Sequence, residues 1–393
     1  MKDALRMFEM PVLMLVLLMS LFFYMPPVHA SWQPSLRVGI LQSVPAATVQ
    51  IKGAAAVLKQ EGSNKVLKRL AVGSAVTVTA RGTDILVDGK TVGSGKLLVQ
   101  AATTKDDEKL RLKVGTHTYR GTMAILLIKG KLTVINGIPT ESYLAGVVPE
   151  EMPPEWPGEA VKAQAVAART FALKNRKRHE SEGFDVCATT HCQVYGGAST
   201  EKEAASHAIS ETAGEVIFFN GALIDALFHT DSGGMTENSE HVWGSFVPYL
   251  KSASEVQVGT QAWKKEIKAS ELSALLAKKT KSFGTLKKME LSPLHIGKGL
   301  GDRSTSGRVK RVRFIGSGST LVVSGNDLRS MLGLRSTMFQ MRMQNDTVLI
   351  EGFGWGHGLG LSQWGAKAWA EKGMKYDEIL KHYYKGTTIK KLY

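Results

Sequence analysis

Residues 140–170 read TESYLAGVVPEEMPPEWPGEAVKAQAVAART, and this stretch marks a change of pattern along the chain. The Ala-rich segment 159–178 has small apolar residues recurring every three or four positions, which predicts a helix. The first part of the stretch opens another helical pattern. Between the two, the proline that follows Met152 disfavours the α region at that residue, so the neighbouring carboxylates of Glu150 and Glu151 are expected where a helix has just been broken.

The segments on either side of this stretch differ in kind. Residues 35–135 alternate short apolar runs with Gly, Asn and Asp, a pattern typical of a β-rich part. Residues 136–256 mix helices and strands and contain Glu151, residues 257–340 predict an accessory α/β lobe, and residues 341–393 form a Gly-rich loop and a helix that complete the core. The sequence therefore predicts an α+β fold with a mixed α/β core.

Composition excludes several classes of protein. The chain has 393 residues, of which 43% are hydrophobic and 22% charged, so it is not disordered, collagen-like or a multi-span membrane protein. Lys and Arg number 50 against 35 Asp and Glu, a net charge of +15. An excess of this size favours polyanionic surroundings, whether nucleic acid, anionic lipid or an acidic cell wall.

The N-terminus has the layout of an export signal. Lys2 and Arg6 precede an apolar run at 11–25, and Val28-His29-Ala30 places a small residue at an imperfect cleavage site. The run is short for a bilayer, which needs about 20 residues. Two alternatives stay open for residues 1–30, a cleaved signal peptide or an uncleaved membrane anchor. Export by either route argues against nucleic acid as a partner.

A second group of residues suggests metal binding. Cys187, His191 and Cys192 can supply three zinc ligands within a short loop, and His179, slightly upstream, is the candidate for a fourth. The alternative is a disulfide between the two cysteines, or two free thiols, because an exported protein enters oxidising surroundings.

Five ordered blocks of sequence resemble the stage II sporulation protein D and amidase enhancer family. Together they extend over nearly everything after the N-terminal segment. The blocks are residues 144–153, 160–170, 228–237, 328–337 and 354–366.

The resemblance implies a lytic transglycosylase that acts on peptidoglycan glycan strands. It implies that the acid immediately before Met-Pro, here Glu151, is catalytic. One carboxyl group suffices if it first protonates the glycosidic oxygen and then takes the proton of the sugar's own C6 hydroxyl, which yields an anhydro sugar. A hydrolytic pair with Glu150 stays open, although neighbouring residues in an extended segment point to opposite faces and rarely flank one bond.

The resemblance also implies substrate-binding residues and a cofactor. The substrate-binding candidates are Lys162, Arg169, His229, Ser232, His357 and Gln363. For Lys162 and Arg169 the alternative is a solvated helix face, and for His357 it is a hydrogen bond that stabilises its own loop. Trp355 and Trp364 are candidates to stack on a sugar ring or, alternatively, to lie in the core. Some family members carry a similar cysteine and histidine cluster, which implies a structural zinc ion here, and the chemistry itself requires no cofactor.

The expected partners and location follow from the same resemblance. They are peptidoglycan glycan strands, together with other wall hydrolases or sporulation membrane proteins. The chain is expected to be anchored in the membrane facing the wall or secreted to the wall, and to act in sporulation. The alternative function is a non-catalytic, wall-binding amidase enhancer that activates a partner hydrolase.

Overall fold

The computed structural model describes residues 33–62 and 65–393, so the predicted signal or anchor segment lies outside the described residues. In the part of the chain that is described, no helix is both long and apolar enough to cross a bilayer. The strands and helices of Ser35–Leu392 belong to one unit.

The N-terminal part is built of strands, as its alternating pattern predicts. In Ala46–Lys52, buried and exposed side chains alternate strictly, which is the period of a strand with one face in the core. The turn between β6 and β7 is Asp88-Gly89, with φ of 48° and 82°, the left-handed conformation that tight hairpins favour. The strands are β1 Ser35–Val44, β2 Ala46–Lys52, β3 Ala56–Gln60, β4 Val66–Leu70, β5 Ala75–Arg81, β6 Asp84–Val87, β7 Lys90–Gly93, β8 Lys96–Ala101, β9 Arg111–Val114, β10 His117–Tyr119, β11 Thr122–Ile128 and β12 Lys131–Pro139.

Later strands join these sheets or form small sheets of their own. They are β13 Val186–Cys187, β14 Glu215–Phe219, β15 Ala222–Leu223, β16 Phe228–His229, β17 Trp263–Lys268, β18 Leu286–Glu290, β19 Arg311–Gly316, β20 Thr320–Ser324, β21 Phe339–Gln344, β22 Thr347–Gly352, β23 Leu361–Ser362 and β24 Thr388–Lys391. The larger sheets run β13-β1-β12-β11-β8-β3-β4 and β10-β9-β2-β5-β6-β7, and the smaller ones β15-β14-β24, β16-β23, β17-β22-β21 and β18-β19-β20. Two parallel pairings matter for the site, since β13 adds to β1 and β16 pairs with β23.

The helices follow the strands of the N-terminal part. They are α1 Thr140–Ala145, α2 Val148–Glu151, α3 Gly158–Lys174, α4 Glu203–Glu211, α5 Ser239–Trp243, α6 Ala269–Ala277, α7 Gly325–Leu332, α8 Gln363–Glu371 and α9 Tyr376–Tyr383, with short 3-10 turns at Thr104–Asp106, Glu180–Glu182 and Gly197–Ser199. Helix α3 is buried on nearly all sides and contacts α4, α8, α9 and β14. Its alanines allow this close approach, because a small side chain leaves room for neighbouring elements on every face.

Three sequence predictions differ from the structure in detail. The helix predicted over 159–178 ends at Lys174, where the Asn175 side chain donates to the Phe171 carbonyl oxygen at 2.9 Å and caps the last turn. The apolar run 223–229 predicts one strand, but the structure has two short strands, β15 paired with β14 and β16 paired with β23. The core of the predicted accessory lobe extends past residue 340, since Val348 and Ile350 of β22 pack into it.

Candidate functional site

A cavity of about 410 Å³ lies where the central helices meet the Gly-rich C-terminal loop. Its lining divides into two groups of residues, an acid side and a histidine side. The acid side comprises Glu151, Phe171, Arg178, Thr190, His191 and Cys192. The histidine side comprises Leu227, Phe228, His229, Thr230, Trp243, Arg329, Trp355, Gly356, His357 and Gln363.

Glu151 is the last residue of helix α2, and its side chain lines the cavity at the point where the helix ends. Met152 is extended, with φ −141° and ψ 134°, as the following proline requires. The Glu151 side chain is half-buried, and its Oε1 accepts a hydrogen bond from the Val194 backbone N–H at 2.9 Å. Burial raises the pKa of this carboxyl, and the nearby charge of Glu150 adds to that rise, while the Val194 hydrogen bond opposes it. The result is a carboxyl group biased towards its protonated form.

The environment of the adjacent residue, Glu150, differs from that of Glu151. The Glu150 side chain is exposed and it does not line the cavity. The sequence prediction assumed an extended segment here, but both residues belong to the short helix α2, in which successive side chains diverge by about 100°. The two carboxylates therefore do not flank one bond.

A buried chain of hydrogen bonds holds the segment that contains Val194. Tyr143 of α1 donates to the Gln193 side chain at 3.0 Å, and Gln193 donates to the Ala168 carbonyl oxygen of α3 at 3.3 Å. Tyr195 donates to Asn136 of β12 at 2.7 Å. Because partners on both sides of Val194 are fixed in this way, its N–H is held in place for Glu151.

The four predicted metal ligands come together beside the acid. The ligand atoms of His179, Cys187, His191 and Cys192 all lie within 4.8 Å of one another. Cys187 Sγ and Cys192 Sγ each lie 3.7 Å from His191 Nδ1, and Cys192 Sγ lies 3.5 Å from His179 Nε2. Tetrahedral zinc with two sulfur and two nitrogen ligands needs such edges of about 3.6 Å. The structure has no disulfide between the two cysteines.

Neighbouring groups orient one of these ligands. His179 Nδ1 lies 2.6 Å from Glu182 Oε1, and its ring stacks on Phe184 with centroids 4.7 Å apart. A carboxylate on the far nitrogen of a ligand histidine is the usual outer-shell arrangement of zinc sites. The donor set and its surroundings therefore fit a zinc ion, which would be held by His179, Cys187, His191 and Cys192.

On the histidine side, two imidazoles face each other with ring centroids 5.4 Å apart. His229 Nδ1 lies 3.1 Å from the Leu359 carbonyl oxygen, so this nitrogen carries the proton. Its Nε2 is buried and has no hydrogen-bond partner among the described residues. His357 Nδ1 accepts from the Leu359 N–H at 3.0 Å. Burial, with help from nearby cations, holds the pKa of His229 well below its usual range and lowers that of His357 to about 4. Both rings are thus neutral near pH 7.

The Gly-rich loop permits this contact. Gly356 has φ +116°, and a Cβ at this position would lie 2.6 Å from Cβ of His229. Only glycine allows the loop to approach strand β16 this closely. The Gly-rich loop therefore approaches another strand closely at this point.

Several predicted substrate residues line the cavity and others do not. His229, His357, Gln363 and Trp355 line it. Trp364 does not, and packs instead against Trp156 with centroids 5.0 Å apart.

The prediction that Arg169 lines the groove is wrong. Its side chain is 0% exposed and forms a bidentate pair with Glu141 at 2.8 and 2.7 Å, and it also donates to the carbonyl oxygens of Ile209 and Glu215. The structure also places Lys162 away from the cavity, since its Nζ pairs with Glu159 at 3.0 Å and Glu211 at 2.9 Å. The sequence shows that Lys162 and Arg169 share one face of a helix, but it does not show whether that face meets the cavity.

Ser232 likewise lies outside the cavity lining. It is 0% exposed, and its hydroxyl donates to Glu255 at 2.9 Å and accepts from the Gly234 N–H at 3.1 Å. These bonds give it a structural role in the turn that follows β16.

Sequence reasoning assigned no role to two residues of the histidine side, Arg329 and Trp243. Arg329 lies within one of the five blocks that resemble the family, and that position was a usable signal. Trp243 ends helix α5 and is 50% exposed at the cavity. No sequence pattern distinguishes it from an ordinary surface tryptophan.

Comparison with known proteins shows the family of this chain. Residues 128–219, which carry Glu151 and the four cluster residues, match the family model described as stage II sporulation protein, and residues 235–360 match one described as a domain of unknown function (DUF8618). The chain is 35% identical over 277 residues to stage II sporulation protein D of Bacillus subtilis (strain 168), an overlap that covers 65% of this chain and 75% of that protein. The chain belongs to the stage II sporulation protein D family.

Two further relatives show the breadth of this group. The amidase enhancer of Bacillus subtilis (strain 168) is 35% identical over 288 residues, which covers 63% of this chain but only 40% of that protein. An uncharacterized protein of Brachyspira hyodysenteriae is 32% identical over 277 residues, covering 69% of this chain and 72% of that protein.

Proposed function

We propose that this protein is an exported lytic transglycosylase that cleaves peptidoglycan glycan strands during wall remodelling in sporulation. The observation that carries the proposal is Glu151, which is the only carboxylic acid among the described residues that line the cavity. A carboxyl group biased towards its protonated form, in the same cavity as neutral imidazoles, suits a reaction in which one acid serves twice.

The reaction balances with Glu151 alone. Its carboxyl O–H gives the proton to the glycosidic oxygen as the bond from that oxygen to C1 breaks. The carboxylate then takes the proton of the C6 hydroxyl, whose oxygen bonds to C1. The products are a 1,6-anhydro end and a new hydroxyl end, with no water consumed and Glu151 protonated again.

The histidine side is suited to bind the sugar rather than to transfer protons. The free Nε2 of His229 is an acceptor for a sugar hydroxyl, and the half-exposed ring of Trp355 offers an apolar face. The cavity volume falls in the range of roughly 300–1,000 Å³ typical of ligand sites.

Zinc belongs to this proposal as a structural ion. It would be held by the four cluster residues, and when bound it would cross-link the loop containing Cys187 and Cys192 to the segment after α3. Acid chemistry at Glu151 requires no Lewis acid, so no step of the reaction depends on it.

The alternative is a non-catalytic enhancer that binds the wall and activates a partner amidase. Similarity to the amidase enhancer favours this alternative. The match covers only 40% of that protein, so an enhancer function is a proposal for this chain. The two functions differ in one product, since an enhancer leaves glycan strands uncut.

Glu151→Gln tests the proposal directly. We expect cleavage of purified glycan strands to fall about 10²- to 10⁴-fold, because glutamine cannot donate the proton. Glu150→Gln is the matched control and should retain most of the activity. Mass spectrometry of the strands should show 1,6-anhydro ends, without label when the reaction runs in heavy-oxygen water. Uncut strands with the wild-type protein would favour the enhancer, and a fully active Glu151→Gln variant would refute the assignment of the acid.

A further inference from the structure

Arg329 is one of two charged residues of the described cavity lining that the proposed reaction does not use. The other, Arg178, donates to the Asn175 side chain at 3.4 Å. Arg329 lies on helix α7, is half-buried and lines the histidine side. In the described part of the chain, its guanidinium makes no hydrogen bond and no ion pair. Burial lowers its pKa, and no acidic group opposes that effect.

Each of the other buried or half-buried arginines among the described residues makes at least one side-chain hydrogen bond. Arg169 pairs with Glu141, and Arg120 forms a bidentate pair with Glu201 at 2.6 Å for each bond. Arg308, which has no ion pair, donates to the Ser232 carbonyl oxygen at 2.8 Å through Nη2, while its buried Nε and Nη1 have no hydrogen-bond partner among the described residues. A half-buried cation with neither kind of partner is costly, and such a cost is tolerated where a ligand supplies the missing anion.

The groups around Arg329 also favour binding of an anion. The titratable groups that it influences are Arg308, His229 and His357, and in each case its charge opposes protonation. This end of the cavity therefore has a positive potential and contains neutral imidazoles.

We propose that Arg329 binds a carboxylate carried by the glycan ligand. The inference rests on the proposed function and deepens it, because it makes the cavity selective for carboxylated over neutral glycans. A guanidinium suits this task, since its planar fork can bind both oxygens of a carboxylate at once. Such a carboxylate comes either from the lactyl group of a muramyl residue or from a peptide attached to it.

Binding to the full-length Glu151→Gln protein tests the idea without turnover. Calorimetric titration uses three tetrasaccharides of alternating N-acetylglucosamine and N-acetylmuramic acid. The first has free lactyl carboxylates, the second has them as neutral methylamides, and the third has them extended by alanine with its own free carboxylate.

We expect Arg329→Gln to weaken binding of the better carboxylated ligand about 10- to 100-fold and to leave the methylamide ligand unchanged. Arg329→Lys should keep part of the preference, which also controls for loss of folding. Arg342→Gln is the matched control, because its exposed guanidinium pairs with Glu351 at 3.6 Å on strand β21. The ligand whose affinity falls more in Arg329→Gln, the first or the third, identifies the source of the carboxylate.

Two outcomes would overturn the assignment in distinguishable ways. If Arg329→Gln kept the preference for carboxylated ligands, or weakened all three ligands equally, Arg329 would not be the carboxylate site although the glycan site would stand. If none of the three bound to the parent protein, the proposed function would fail together with it.

Discussion

The acid side and the histidine side of one cavity show opposite effects of the same physical cause. Burial favours the neutral form of any ionisable group, so it raises the pKa of Glu151 and lowers the pKa of His229 and His357. Burial therefore biases the Glu151 carboxyl towards the protonated form that can donate a proton, whereas it favours the neutral, hydrogen-bonding form of the imidazoles. Under the proposed function, this difference assigns proton transfer to one side of the cavity and ligand binding to the other.

The largest effect is expected from disturbing the acid side through the proposed zinc site. Removing zinc with a chelator should lower the melting temperature by roughly 5–10 °C, because a structural ion contributes folding free energy directly. Cleavage should fall with it, since the loop that positions Val194 also holds Cys192. Calorimetry with and without added zinc measures the change in stability, and a glycan cleavage assay on the same samples measures the loss of activity.

Cys192→Ser should reproduce the effect, and His207→Asn, an exposed histidine outside the cluster, should not. Elemental analysis that found no zinc, together with thiol titration that found no free thiols, would contradict the metal site and favour the disulfide.

A smaller effect separates the two cations that sequence reasoning assigned to the groove. Arg169→Met should destabilise the fold by about 3–5 kcal/mol, because it removes the buried cation that pairs with Glu141 and donates to two carbonyl oxygens. Lys162→Met should cost about 1 kcal/mol or less, since its two ion pairs lie near the surface. Denaturant unfolding measures both free energies. Glycan binding lost on Lys162→Met without a change in stability would restore its role in the groove.

The smallest effect is a displacement of the pH profile. Glu151 must be protonated to act, so kcat/KM should be high at low pH and fall as pH rises through its raised pKa. Glu150→Gln removes a negative charge that raises this pKa, so the alkaline fall should move to lower pH. His357→Asn should leave its position unchanged, because His357 is already neutral above a pH of about 4. If His357→Asn shifted the pH at which kcat/KM falls, the contrast between the acid side and the histidine side would be wrong.

Local patterns predicted much of the fold and part of the site. The alternation in Ala46–Lys52 and the Asp88-Gly89 turn depend on neighbours in sequence, so their structure could be predicted. The four residues of the metal cluster lie within a short span of chain, so spacing alone indicated that they meet. Roles that depend on distant contacts were missed, as for Ser232, whose partner Glu255 is 23 positions away.

The sequence by itself determined the α+β class, the break at Met152 that ends a helix beside Glu151, and the ligand types of the cluster. These follow from backbone sterics, periodicity and side-chain chemistry, which act over a few residues. Only the tertiary structure decided that Glu151 faces the cavity while Glu150 faces solvent, that Arg169 is buried against Glu141, and that Arg329 has no partner among the described residues. Each of these depends on which surfaces meet when α3, the Gly-rich loop and α7 pack together, because burial and charge pairing arise from contacts between segments far apart in the chain.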